Sequence, residues 1–213
     1  MELKQLIISL CSLMTVSGHE YRSLGVLTEL CGEYFDEIST DNVGNVRLFR
    51  RCGKESAPLV MIDTHFDEIG MYVSDVCEGG FLKVVPIGGL DGRTLSSADV
   101  RVYGTQVLEG VISSTPPHLK DRDEEDKVPT AADLLVDTGW PQDELREIAP
   151  IGPPVGFSPR YTWLQNDRLC GKGLDNKACC AIAVHALRSI PAADLAGDVY
   201  LVLAVHEETD NLG

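Results

Sequence analysis

The chain has 213 residues, 44% of them hydrophobic, and a formal charge of −15. That composition suits one large or two small folded domains and excludes a disordered polymer. The acidic balance excludes electrostatic docking on a nucleic-acid backbone or an anionic membrane surface, and no apolar run approaches the ~20 residues that span a bilayer. In chain order, residues 1–15 and about 20–35 read as two helices separated by Val16-Ser17-Gly18-His19. Leu6–Val16 is apolar enough to imitate a secretory leader. Glu2 nevertheless cancels the charge of Lys4, Ser9 and Ser12 interrupt the run, and no small-residue cleavage site follows, so a first amphipathic helix is expected. Asp41-Asn42-Val43-Gly44-Asn45 has hairpin-turn chemistry and leads into a strand, Val46–Arg50. A second strand, opened by the apolar run Leu59-Val60-Met61-Ile62 and reaching His65, is expected to be buried.

From about Met71 to Gln165 the pattern changes to short alternating runs punctuated by Gly and Pro. Candidate strands are Phe81–Ile87, Val100–Tyr103, Val107–Ile112 and Leu134–Thr138, a signature of a small β-barrel or sandwich. Within it, Lys120–Lys127 reads as a solvated charge run and Pro141–Ala149 as a short surface helix. After Trp163 the α/β character returns, with a helix from about Asn176 to Ser189, broken by Pro191, and a buried strand, Val199–His206. The expected fold class is therefore α/β: one domain built from residues 1–70 and 166–213, with a β-rich domain, residues 71–165, inserted in it. No internal repeat is visible. Seven scattered cysteines without a Cys-x-x-Cys pair indicate neither a zinc knuckle nor a disulfide framework, and free thiols fit a reducing cytoplasm.

Three acidic clusters stand at the ends of apolar runs: His65-Phe66-Asp67-Glu68, Gly173-Leu174-Asp175-Asn176 and His206-Glu207-Glu208. Strand ends can converge although distant in sequence, and one His with several carboxylates suits a pair of divalent ions such as zinc, cobalt or manganese. Residues two apart in a strand share a face, so Asp67 can support the His65 ring and fix its tautomer. Asp175 reads either as a helix N-cap or as a carboxylate shared by two ions. Two adjacent carboxylates after a long apolar strand are costly near a core unless something binds them. In an extended chain they would point to opposite sides, one toward metal and one, as a general base, toward water.

At these residues the sequence resembles the glutamyl-aminopeptidase/TET family of cocatalytic metallo-aminopeptidases, some members of which carry the label cellulase or endoglucanase. The resemblance runs the length of the chain. Ser17-Gly18-His19-Glu20 resembles the N-terminal signature and His65-Phe66-Asp67-Glu68-Ile69-Gly70 the first metal motif. Glu109–Leu119, with its Pro116-Pro117-His118 segment, resembles a stretch of the inserted β domain that related amidohydrolase-type peptidases lack. Asp133–Gly139 and Ile151-Gly152-Pro153-Pro154-Val155 resemble the end of that insertion. The resemblance implies that His65 binds one ion, Asp175 bridges two, Glu208 binds the second, Asp67 supports His65 and Glu207 is the general base. It implies peptide substrates and a homo-oligomer assembled through the β domain. Asn176-Lys177 stands where Asp-Arg is common, His206 where Gln is common, and Thr209-Asp210-Asn211 in place of a more apolar run. The family also draws a further carboxylate and a second His from sequence beyond the Glu-Glu motif. The expectation is thus a truncated chain with little or no peptidase activity of its own. The alternatives are an inactive assembly or regulatory module, and another amide or glycoside hydrolase on the same scaffold.

Overall fold

The structure, a computed structural model, describes residues 1–114, 130 and 133–210. The Lys120–Lys127 charge run and the Pro116-Pro117-His118 segment lie outside the described residues. The chain forms two compact units, Met1–Glu68 with Pro159–Gly213, and Ile69–Ser158. Residues 159–165, assigned to the insertion by sequence, thus sit in the first unit, where β10 (Tyr161–Leu164) pairs with β11 (Arg168–Gly171) as a hairpin.

The first unit carries a four-stranded sheet. Its strands are β1 (Glu37–Thr40), β2 (Val46–Arg50), β3 (Leu59–His65) and β12 (Asp198–Ala204), in the order β1-β2-β12-β3. β12 runs antiparallel to β2 and parallel to β3, with Ala204 opposite His65. One face of the sheet presents Val46, Leu48, Val199, Leu201 and Leu203 to three helices, α1 (Leu3–Cys11), α2 (Leu24–Cys31) and α5 (Leu174–Ser189). The amphipathic reading of the first helix holds, since Leu6 and Leu10 lie fully buried in this core. Each such leucine contributes roughly 1.5–3 kcal/mol by leaving water.

The expectation that Leu59–Ile62 is buried is wrong for its first three residues, and only Ile62 packs, partly buried, against the core. β3 is the edge of the sheet among the described strands, and Leu59, Val60 and Met61 are all exposed, Met61 at 69%. Side chains alternate across a sheet, so the three residues in register at Phe49, Tyr200 and Met61 share the face away from the helices. Strand composition specified extended backbone and could not specify whether a second layer lies over it.

The second unit is a closed six-stranded antiparallel barrel. It comprises β4 (Gly70–Val76), β5 (Phe81–Ile87), β6 (Asp99–Tyr103), β7 (Val107–Ser113), β8 (Leu135–Asp137) and β9 (Pro154–Phe157), in the order β4-β5-β8-β7-β6-β9. β7 shows why the pattern was readable, since buried and solvent-facing residues alternate along it. Gly110 on β7 allows the close approach of β8, because a Cβ there would lie 2.9 Å from Val136 Cγ1. The short helices α3 (Gly92–Leu95) and α4 (Gln142–Ile148) seat Leu95 and Leu145 in the barrel core with Leu82, Val84 and Val136. Strands β1, β4, β9, β10 and β11 escape the sequence reading: β1 is short and half-exposed, β9 carries a proline and a glycine, β10 and β11 are short and mostly exposed, and β4 follows closely on the first acidic cluster. No described helix is long and apolar enough to cross a membrane.

Candidate metal centre

Parallel pairing brings the ends of β3 and β12 side by side, and Phe66 N–H extends the ladder by donating to Ala204 O at 2.7 Å. Beyond Ala204 the chain leaves the sheet at His206, whose φ of +61° is left-handed and ends the extended run. Glu207 and Glu208 then open a short helix, α6 (Glu207–Asp210), rather than continuing the strand. This corrects the sequence reading that the two carboxylates point to opposite sides: neighbours on a helix are about 100° apart, and both can face one point. Ligand atoms of His65, Glu207 and Glu208 all lie within 4.8 Å of one another.

Asp175 enters from the start of α5. Gly173, at φ +64°, turns the chain so that Asp175 keeps an extended backbone before the helix begins. Its carboxylate is 90% exposed, and Oδ1 lies 3.2 Å from His65 Nε2, so it meets the imidazole rather than capping the helix. Glu207 Oε2 is 3.7 Å from the same nitrogen. His65, Asn176 and Glu207 line a cleft of about 320 Å³ together with Asp63, Thr64 and Val205.

Asp67 is fully buried, and its position depends on the chain path beyond β3, which ends at His65, rather than on strand alternation. Oδ1 stands 3.5 Å from His65 Nδ1, an ion-pair distance, and Nδ1 has no hydrogen-bond partner among the described residues. The hydrogen bonds of Asp67 go elsewhere: Oδ2 accepts from Ser17 Oγ at 2.8 Å and from Glu208 N–H at 3.1 Å, and Oδ1 from Glu207 N–H at 3.2 Å. Asp67 therefore holds the backbone that carries both glutamates. Asn45 does the same from the other side, since its Oδ1 accepts Val205 N–H at 2.9 Å and its amide donates to Asp41 at 3.0 Å. Neither function of Asp67 and Asn45 was visible in sequence, because each partner is a main-chain group distant along the chain.

Burial pushes the Glu208 carboxyl above the usual range; the charges of Asp67, Glu207 and Asp175 push the same way, and His65 opposes them. His65 Nε2 faced by the mutually repelling carboxylates of Asp175 and Glu207, with Glu208 within reach, is a donor set that a divalent cation would complete, so these residues fit such an ion.

Residues 44–213 match the M42 glutamyl aminopeptidase family. Lysyl aminopeptidase of Pyrococcus furiosus is 32% identical over 200 residues, covering 91% of this chain and 56% of that protein. The solved aminopeptidase APDkam598 from Desulfurococcus kamchatkensis superposes with a TM-score of 0.88 at 32% identity, covering 99% of this chain and 58% of that one. The TET1 peptidase of Pyrococcus horikoshii, described as assembling into a tetrahedron or a large octahedral shell, matches in fold with a TM-score of 0.84 at 23% identity, over 98% of this chain and 62% of its own. The chain thus spans 56–62% of the length of these relatives.

Proposed function

We infer that this chain, which belongs to the M42 glutamyl aminopeptidase family, carries the greater part of a metal-dependent aminopeptidase site. The observation that supports this most is the convergence of three separate elements on His65: Asp175 and Glu207 both approach its Nε2, and Glu208 has a ligand atom within 4.8 Å of those of His65 and Glu207. His65, Asp175 and Glu208 would hold divalent metal, Asp175 being the residue that would be shared if two ions bind, with zinc or cobalt the expected metals. A bound ion would polarise the scissile carbonyl and make water a better nucleophile near neutral pH. Glu207, nearly half exposed in the cleft, takes the proton from the attacking water and returns it to the departing amine. Asp67 keeps Glu207 and Glu208 in place through their backbone N–H groups and faces His65 Nδ1.

The substrate is a peptide cleaved at its N-terminal bond, and the barrel unit is a surface for homo-oligomer assembly; that a relative of the same fold forms shells supports self-assembly. Activity of the 213-residue chain is expected to be low, because the donors at the site among the described residues are one histidine and a few carboxylates. Calorimetric titration with zinc and cobalt, followed by assay on a panel of aminoacyl-nitroanilides, tests the reading. Wild-type chain should take up metal and His65→Ala should lose at least one equivalent. Metal uptake indifferent to His65→Ala and Asp175→Asn would refute it.

A further inference from the structure

The segments that carry the centre also share a buried cluster of three charges that the reaction does not use. Glu68 Oε1 accepts from Lys172 Nζ at 2.7 Å, and Glu68 Oε2 lies 2.9 Å from Lys177 Nζ. Lys177 is fully buried, and the side chains of Glu68 and Lys172 are 6% exposed. Burial would push the Glu68 carboxyl up, but the charges of Lys177 and Lys172 hold it below the usual carboxylate range. Burial draws Lys172 below the usual lysine range. Desolvating three charges is recovered only where geometry is tight and the remaining donors are satisfied.

Here the geometry joins three segments. Lys177 Nζ donates to Thr15 Oγ1 at 2.7 Å, and Lys172 Nζ to Leu13 O at 3.1 Å. The Glu68 backbone N–H donates to Thr15 O at 2.9 Å, and Ser17 N–H donates to Glu68 O at 3.2 Å. Gly173 passes so close that a Cβ would stand 2.8 Å from Glu68 Oε2 and 2.7 Å from Lys177 Cε. Each segment carries a group of the centre: Ser17, which holds Asp67; His65 with Asp67; and Asp175.

We propose that Glu68 and Lys177, assisted by Lys172, are positioning residues that fix the Gly173–Asp175 turn against the Asp67–Glu68 segment and so set the distance from Asp175 to His65 Nε2. This rests on the reading of His65 and Asp175 as ligands. The test compares Lys177→Met and Lys177→Arg with wild type in the whole chain, by metal-free amide hydrogen exchange and by zinc titration. Lys177→Met should accelerate exchange at Ser17 and Glu68, whose hydrogen bonds flank the cluster, about tenfold or more, with the Leu201–Leu203 amides unchanged. Zinc affinity should fall about 10–100-fold, as for other groups that orient a ligand, and Lys177→Arg should restore both readouts to near wild type. Unchanged exchange, uniform acceleration across β12, or no rescue by Lys177→Arg overturns the proposal. If wild-type chain takes up no metal, the ligand reading fails by itself and the exchange result still decides positioning. If Lys177→Met does not fold, Glu68→Gln, which keeps the shape and removes the charge, is judged by the same outcomes.

Discussion

Replacing Asp67 with asparagine should loosen the Glu207–Glu208 turn while leaving the barrel untouched. Asp67 is fully buried and accepts three hydrogen bonds, from Ser17 Oγ and from the N–H groups of Glu207 and Glu208. An amide keeps one acceptor oxygen and converts the other to a donor. Its least costly orientation retains the Ser17 and Glu208 contacts at the oxygen and sets the NH2 against the Glu207 N–H. One charge-assisted bond is lost, worth about 1.5–3 kcal/mol, and the others weaken, so about 3 kcal/mol in all is expected. With a urea slope of about 2 kcal/mol/M, the unfolding midpoint of the first unit should fall by about 1.5 M. Exchange of the β12 amides across a urea series reads that unit alone. Ser17→Ala, which removes one donor, should cost only about 1 kcal/mol. A fall of less than about 0.3 M for Asp67→Asn, a few tenths of a kcal/mol at this slope, would show that Asp67 does not hold the turn.

Two further predictions separate burial from pattern and charge from packing. Met61→Ser should change stability by no more than about 0.5 kcal/mol, as for an exposed position, whereas Leu201→Ala on the covered face should cost about 2–5 kcal/mol; equal costs in chemical denaturation would contradict the uncovered face. Burial raises the Glu20 carboxyl above its usual range, against hydrogen bonds from its own and the Gly18 N–H and the charge of His206, while Asp67 adds to the rise. The folded state then holds that proton more tightly than the unfolded state, so stability falls as pH rises through the interval between the two pKa values. Glu20→Gln should therefore raise the melting temperature at pH 7 and lose that advantage below about pH 4, where both states are protonated. An equal effect at both pH values would exclude ionisation as the cause.

The element types were largely legible because they rest on local pattern. Period-two alternation marked β5, β6, β7 and β8, and a polar-interrupted apolar run marked α1 as an amphipathic helix instead of a leader. The acidic clusters were legible too, since carboxylates at the ends of apolar runs are costly unless they bind something. What sequence could not contain was which groups meet across the chain. Asp67 was read as a support for His65, yet its hydrogen bonds go to Ser17 and to the main chain of Glu207 and Glu208. Lys177 appeared as a departure from a family pattern, and only folding reveals it as a fully buried partner of Glu68.

By itself, then, the sequence determined an α/β unit interrupted by a β-rich one and nominated the residues that could bind metal. Hydrophobic period and residue chemistry are local and survive in one dimension. Tertiary structure decided that β3 lies at the sheet edge with an uncovered face among the described residues, that Glu207 and Glu208 open a helix, and that a Lys-Glu-Lys cluster ties together the segments carrying the centre. Those outcomes depend on strand order, on where a left-handed residue ends a run, and on which desolvated charges find partners, all of which are set by contacts between segments far apart along the chain.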